Sequence, residues 1–150
     1  NRRAILSSIL MNLGIQFEPD KIIESIHNYI DFRDMIIRKG AIAAHDGQLC
    51  IVSLNMRDGI LLCKGKGNER WNYSCAHGSG RAISRAKAKK SINMKQYVKD
   101  MEGVYSTCVI PETIDEAPSA YKDSEFIKKA LGPTVDIIKH YKSLINLKGH

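Results

Sequence analysis

A chain of 150 residues is long enough to bury a core of its own and has the size of one domain. Its 43% hydrophobic and 26% charged content excludes a disordered chain. No stretch approaches the ~20 consecutive apolar residues that a membrane-spanning helix needs. Lys+Arg 23 against Asp+Glu 16 leaves a net +7, which favours polyanionic partners, although many basic domains bind no nucleic acid.

The chain opens on Asn1-Arg2-Arg3 without an initiator Met or the small-residue cleavage site of a signal peptide, and reads as a fragment. Ile5, Leu6, Ile9, Leu10 and Leu13 recur at helical spacing, and Gly14 supplies a stop. Pro19-Asp20 should open a second helix with Ile22, Ile23 and Ile26 on its inner face, ending at His27. Residues 35–44 and 48–54 suit strands, with Asp46-Gly47 as a hairpin turn between them, and residues 60–63 suit another. Residues 81–90 read as a basic helix starting just after a run of glycines, and residues 94–101 as a further helix. A strand over 104–110 and an acidic loop over 111–118 follow. Phe126, Ile127, Leu131, Val135, Ile138, Tyr141 and Ile145 predict a closing helix interrupted at Pro133, with residues 143–148 as an alternative final strand. No repeat or linker divides the chain, so residues 1–150 are read as part of a single domain. Strands and helices without regular β-α alternation argue for α+β.

Cys50, Cys63, Cys75 and Cys108 lie far apart with no C-x-x-C pair, which favours buried reduced thiols over a zinc finger and makes the cytoplasm the expected compartment. The densest polar signal is His77-Gly78-Ser79-Gly80-Arg81. Glycines at the start of a helix let a phosphate approach the first N–H groups, Arg81 can add a charge-assisted contact, and an imidazole there can attack phosphorus. The spacing is neither a Walker A loop nor a dinucleotide fingerprint, and it leaves a plain helix-capping turn open beside a phosphate site. His27 is open between a hydrogen-bonded, partly buried histidine and a metal ligand. His45 reads as a turn residue, and His140 as the outer face of the last helix. The basic run Arg81, Arg85, Lys87, Lys89, Lys90 is open between a solvated face and a groove for an RNA backbone. Trp71 and Tyr73 are candidates for base stacking or for core packing.

Read in order, Arg38-Lys39-Gly40-Ala41, Gly65-Lys66-Gly67-Asn68, His77-Gly78-Ser79-Gly80-Arg81 with Ser84-Arg85, the run ETIDEAPSAYKD over Glu112 to Asp123, and the closing Lys148-Gly149 resemble the RtcB-type RNA ligases. The likeness runs from about His27 to the end. It implies an α+β fold particular to that family, an RtcB-like mixed sheet with flanking helices, present here as the C-terminal part of the catalytic domain. The implied activity joins RNA ending in a 2′,3′-cyclic phosphate or 3′-phosphate to RNA with a 5′-hydroxyl, using GTP and manganese. His77 is the implied catalytic residue, carrying GMP covalently, and His27 matches a manganese ligand. Asn28 matches a guanylate contact, Ser53, Leu54, Asn55 and Met56 fall on the nucleotide loop, Gly78, Ser79 and Gly80 surround GMP, and Tyr121 and Lys148 match positions that reach guanine. An archease-like activator is a further implied partner.

This chain departs from the family's P-G-S-M-G nucleotide loop, reading Ser53-Leu54-Asn55-Met56-Arg57-Asp58-Gly59, with Ile60 where a later serine recurs. An amide and an arginine remain to hold phosphates, as expected of a divergent branch. The family's other metal ligands lie upstream, and nothing marks Cys75 as their substitute, so these residues alone are expected to lack ligase activity. Two other functions compete: a non-catalytic RNA- or nucleotide-binding module derived from the family, and a nucleotide-binding half that assembles with a separate N-terminal half.

Overall fold

A computed structural model describes residues 1–148. Helix α1 (Arg2–Asn12) forms where the apolar spacing predicts it and ends before Gly14, whose φ of +68° suits only a glycine without strain. None of its residues is buried, and Arg2 and Arg3 tie it to the chain through Glu24. The expected second helix is absent: after one 3-10 turn, Pro19–Lys21, the chain runs extended to His27. Ile22, Ile23 and Ile26 are β-branched and favour extended backbone. Ser25 settles the matter by accepting the Ile51 N–H at 2.9 Å, which holds the segment against a strand edge.

Seven strands follow: β1 (Asn28–Asp31), β2 (Ile36–Lys39), β3 (Ala41–Ala43), β4 (Leu49–Ser53), β5 (Ile60–Gly65), β6 (Ser74–Ala76) and β7 (Val135–Tyr141). They divide into three small antiparallel sheets, β1-β2, β3-β6 and β4-β5-β7, rather than one mixed sheet. Parallel pairing occurs among the described residues only as single bridges, Ser53 to Gly78 and Tyr105 to Ile145. Asp46-Gly47 does turn the chain, yet it joins strands of different sheets and makes no hairpin.

Alternation along β4 and β5 points Cys50, Val52, Leu61 and Cys63 inward, against Ile42, Ala44 and Cys75 from the β3-β6 side. Helix α4 (Ser124–Leu131), capped by the Asp123 side chain, closes this core with Ile127 and Leu131. All four cysteines are buried and free, as their surroundings predict. A second cluster gathers Met56, Tyr97, Met101, Ile114 and Ala117 around α3 (Met94–Asp100).

The closing helix is overturned beyond Leu131. Gly132 and Pro133 end α4, and Val135, Ile137 and Ile138 continue as β7, which hydrogen-bonds to β5. Three β-branched residues in four positions favour a strand over the helical spacing they also satisfy. His140 therefore lies on a strand, partly buried, with Nε2 2.6 Å from the Asp58 carbonyl oxygen. Residues 104–110 and 143–148 form no strand; they touch through the Tyr105–Ile145 bridge. The acidic stretch folds into 3-10 turns, Pro111–Glu116 and Pro118–Ala120. The whole is α+β.

Candidate active site

Three of the residues singled out in the sequence, His27, Asn28 and His77, gather around one glycine. Gly40, between β2 and β3, has φ +70° and donates its N–H to the His27 carbonyl at 2.8 Å and to Asn28 Oδ1 at 3.2 Å. Its own carbonyl lies 2.6 Å from His77 Nδ1. A carbonyl oxygen only accepts, so Nδ1 carries the proton. In the neutral ring Nε2 then bears the free lone pair. The His77 ring is exposed and stacks on His27, with centroids 4.9 Å apart and planes 8° from parallel. Both rings line a cleft of about 360 Å³ with Ser53, Ser25, Arg2 and Arg3. His27 thus follows an extended segment rather than ending a helix.

The loop 77–81 does not open a helix. Helix α2 (Arg85–Ser91) begins later, capped by Ser84, so the glycines are no part of its first turn. The loop is instead clamped on both sides by backbone bridges. Ser53 donates its N–H to the His77 carbonyl at 3.1 Å and accepts the Ser79 N–H at 2.9 Å, while Arg81 bridges to Tyr121 and Lys122 N–H reaches the Gly80 carbonyl at 3.2 Å. A Cβ on Gly78 would stand 2.6 Å from the Ser53 carbonyl oxygen, so only glycine permits this pairing. Ser79 is buried and its Oγ has no partner among the described residues.

On the far side of Ser53 a second cleft, about 280 Å³, is lined by Ser53, Leu54, Asn55, Met56, Tyr121 and Lys148, together with Glu116. Leu54 and Met56 turn their side chains into the two cores, leaving backbone to face the cleft. Asn55 and Arg57 are not free for phosphates as expected. Asn55 Oδ1 accepts the N–H groups of Arg57 and Asp58, and both the Asn55 amide and the Arg57 guanidinium bind the Asp58 carboxylate at 2.8 Å.

Glu116 is the residue that the sequence reading missed. Its carboxylate takes the Tyr121 hydroxyl, Lys148 Nζ at 2.7 Å, Arg81 at 2.6 Å and Arg85. Burial raises its pKa, but the hydrogen bonds from Lys148 and Tyr121 and the charges of Lys148 and Arg81 outweigh that and hold it down at about 2. Burial, then the Glu116 hydrogen bond and charge, push the Tyr121 phenol up to about 12, so it remains a donor at neutral pH. Arg81 lies 4.9 Å over the Tyr121 ring and is spent on this network rather than on the glycine loop. Lys89 also leans toward Asp115, which Arg85 binds at 2.6 Å, so much of the basic run faces acid inside the protein.

Trp71 is exposed on a different groove, about 520 Å³, behind β3 and β6, and Tyr73 stacks on His45 at 5.5 Å; neither lines the two clefts. Among the described residues the three-member grouping able to hold a metal is Asp31, Asp34 and His45, not a set around His27. There the buried Arg38 guanidinium binds both carboxylates and supplies the balancing charge itself. The hydrogen bond shared with Cys50 and burial both push the Cys75 thiol up, which keeps it protonated and a poor ligand. Gly149 of the closing Lys148-Gly149 pair lies outside the described residues. No helix among them is long and apolar enough to cross a membrane.

A family model described as tRNA-splicing ligase RtcB matches residues 1–149, taking in α1 as well as the part from His27 onward. The chain is 33% identical over 129 residues to RNA-splicing ligase RtcB of Escherichia coli (strain K12), covering 82% of this chain and 31% of that protein. It is 35% identical over 129 residues to RNA-splicing ligase RtcB1 of Escherichia coli (strain ATCC 25922), again covering 82% of this chain and 31% of that protein. Against RNA-splicing ligase RtcB2 of the same strain it is 28% identical over 142 residues, 87% of this chain and 37% of that protein. The chain therefore spans about a third of the length of these curated relatives, 31% to 37%. With a family match over nearly its whole length, the chain belongs to the tRNA-splicing ligase RtcB family.

Proposed function

We propose that this chain is the guanylate-accepting part of an RNA ligase that joins a 2′,3′-cyclic phosphate or 3′-phosphate end to a 5′-hydroxyl end. The observation that carries the reading is the His77 ring, whose Nδ1 is tied to the Gly40 carbonyl while the ring stays exposed in a cleft. A ring so held offers Nε2 as a nucleophile of fixed direction. Nε2 attacks the α-phosphorus of GTP, a P–N bond forms, and the P–O bond to pyrophosphate breaks. Where the end is a 2′,3′-cyclic phosphate, water first adds to phosphorus and breaks the bond to the 2′-oxygen, leaving a 3′-phosphate; an oxygen of that 3′-phosphate then displaces His77 from phosphorus and takes the GMP. The 5′-hydroxyl oxygen attacks the activated RNA phosphorus, loses its proton, and GMP leaves.

Ser53 supports this reading because it lines both clefts, one holding His77 and His27, the other Tyr121 and Lys148. A nucleotide lying across Ser53 places its α-phosphate toward His77 and its base toward Lys148. Asn28, Gly78, Ser79 and Gly80 flank the phosphate side, and the backbone of Leu54, Asn55 and Met56 borders the base side. A lysine ammonium donates to the guanine oxygen and has nothing to accept from the adenine amine, which favours G.

Manganese is proposed to neutralise phosphate charge, with His27 as the one imidazole this chain contributes. Among the described residues no group of three or more His, Cys, Asp or Glu side chains gathers around it, so further ligands from elsewhere belong to this reading. An archease-like activator belongs to the same proposal.

Incubating the natural full-length protein with manganese and α-labelled GTP should leave an acid-labile label on His77. Label retained undiminished in His77→Ala removes the catalytic assignment. A protein that binds RNA but never takes up label is the non-catalytic module instead.

A further inference from the structure

We propose that Glu116 is the positioning residue of the base cleft, fixing the Lys148 ammonium and the Tyr121 hydroxyl so that the cleft selects guanine; this rests on the guanylate reading above. The lysine side chain is long and rotamer-rich, so holding its ammonium in one direction takes specific contacts. Here Lys148 is pinned from two directions. The Cys108 thiol donates to the Lys148 carbonyl at 3.1 Å and accepts its N–H at 3.2 Å, which anchors the backbone. Upstream, Tyr105 donates its N–H to the Leu144 carbonyl and its own carbonyl accepts the Asn146 N–H, each at 2.9 Å. That leaves only the direction of the lysine side chain unset, and the 2.7 Å contact with Glu116 Oε2 sets it. One ammonium proton is committed there and the others remain for an acceptor in the cleft. The same carboxylate takes the Tyr121 hydroxyl and Arg81, so the guanine-facing groups and the loop bearing His77 share one anchor.

A group acting through Lys148 need not touch the nucleotide, so fold stability alone does not test it. Titration calorimetry of GMP and AMP with the natural full-length protein and manganese gives the base preference directly. Glu116→Gln replaces an acceptor for four donors by an amide that also donates. It should weaken GMP about tenfold and lower the GMP over AMP preference by a similar factor. Lys148→Met should do the same, and the double variant should lose clearly less than the sum of the two single losses. A Glu116→Gln protein that keeps the full preference, or a double variant in which the losses add, overturns the role of Glu116 while leaving the guanylate reading intact. Failure of the wild type to prefer GMP defeats the guanylate reading itself. Should Glu116→Gln not fold, the GMP-bound crystal structure decides: Lys148 still on Glu116 while meeting the base supports the proposal, and Lys148 swung away from it overturns it.

Discussion

His77 depends on two glycines for different reasons. Gly40 is needed for its backbone, since φ +70° costs an L-residue about 1–2 kcal/mol, while a Cβ there would meet the His77 ring only at 3.6 Å. Gly78 is needed for space, because a Cβ 2.6 Å from a backbone oxygen has no flexible neighbour to displace. Gly78→Ala should therefore push the loop off Ser53, cost about 1–3 kcal/mol in urea unfolding, and suppress guanylation of His77 more than Gly40→Ala does. Glu116 sets a pH dependence. Its folded value of about 2 lies below its ordinary 4.5, so its contribution to stability is fully present above about pH 4.5 and fades as pH falls toward 2. The urea midpoint of wild type should drop through that acid window, and Glu116→Gln should flatten that part of the curve.

At the scale of elements, the β1-β2 hairpin carries His27 and Asn28 to the site, and Arg38 holds the hairpin in place. Its side chain is almost fully buried, binds Asp31 and Asp34, and reaches across to Ser74 on β6 at 2.9 Å. Arg38→Met leaves two carboxylates facing each other without their cation, and should cost about 3–5 kcal/mol while displacing His27 from its stack on His77. Calorimetric unfolding measures the first effect and histidine ring shifts in NMR the second. What was legible in the sequence follows the same physics. Elements with one strong period and a clear stop, such as α1, α3 and β5, lie where their residues put them. Residues 22–26 and 135–141 satisfy a helical period too, but their β-branched side chains and partners in β4 and β5 decide for extended backbone. His77, His27 and Ser53 were named by the family resemblance, and folding brings all three to the lining of one cleft. Glu116 was not legible, because Arg81, Tyr121 and Lys148 meet it only after folding, and an acidic residue in the stretch between Pro111 and Pro118 reads as loop.

The whole molecule bears on where the chemistry can be completed. The described residues bring one exposed imidazole, a second imidazole stacked on it and a base cleft beside them, but no group of ligands that could hold a metal next to His27. Relatives of the family are about three times as long, this chain covering 31% of each of two of them. A phosphoryl transfer from GTP develops charge that a single histidine pair cannot neutralise, and metal ions are the usual means. The 150-residue chain alone should therefore give neither label on His77 nor joined RNA when mixed with GTP and manganese. Adding, as a separate polypeptide, the portion of an RtcB relative that this chain does not cover should restore the label if the two parts dock, and the restored label should vanish with His77→Ala in this chain. Label appearing on the isolated chain at the rate of the mixture would mean that these residues hold a complete guanylation site, and the dependence on outside ligands would be wrong.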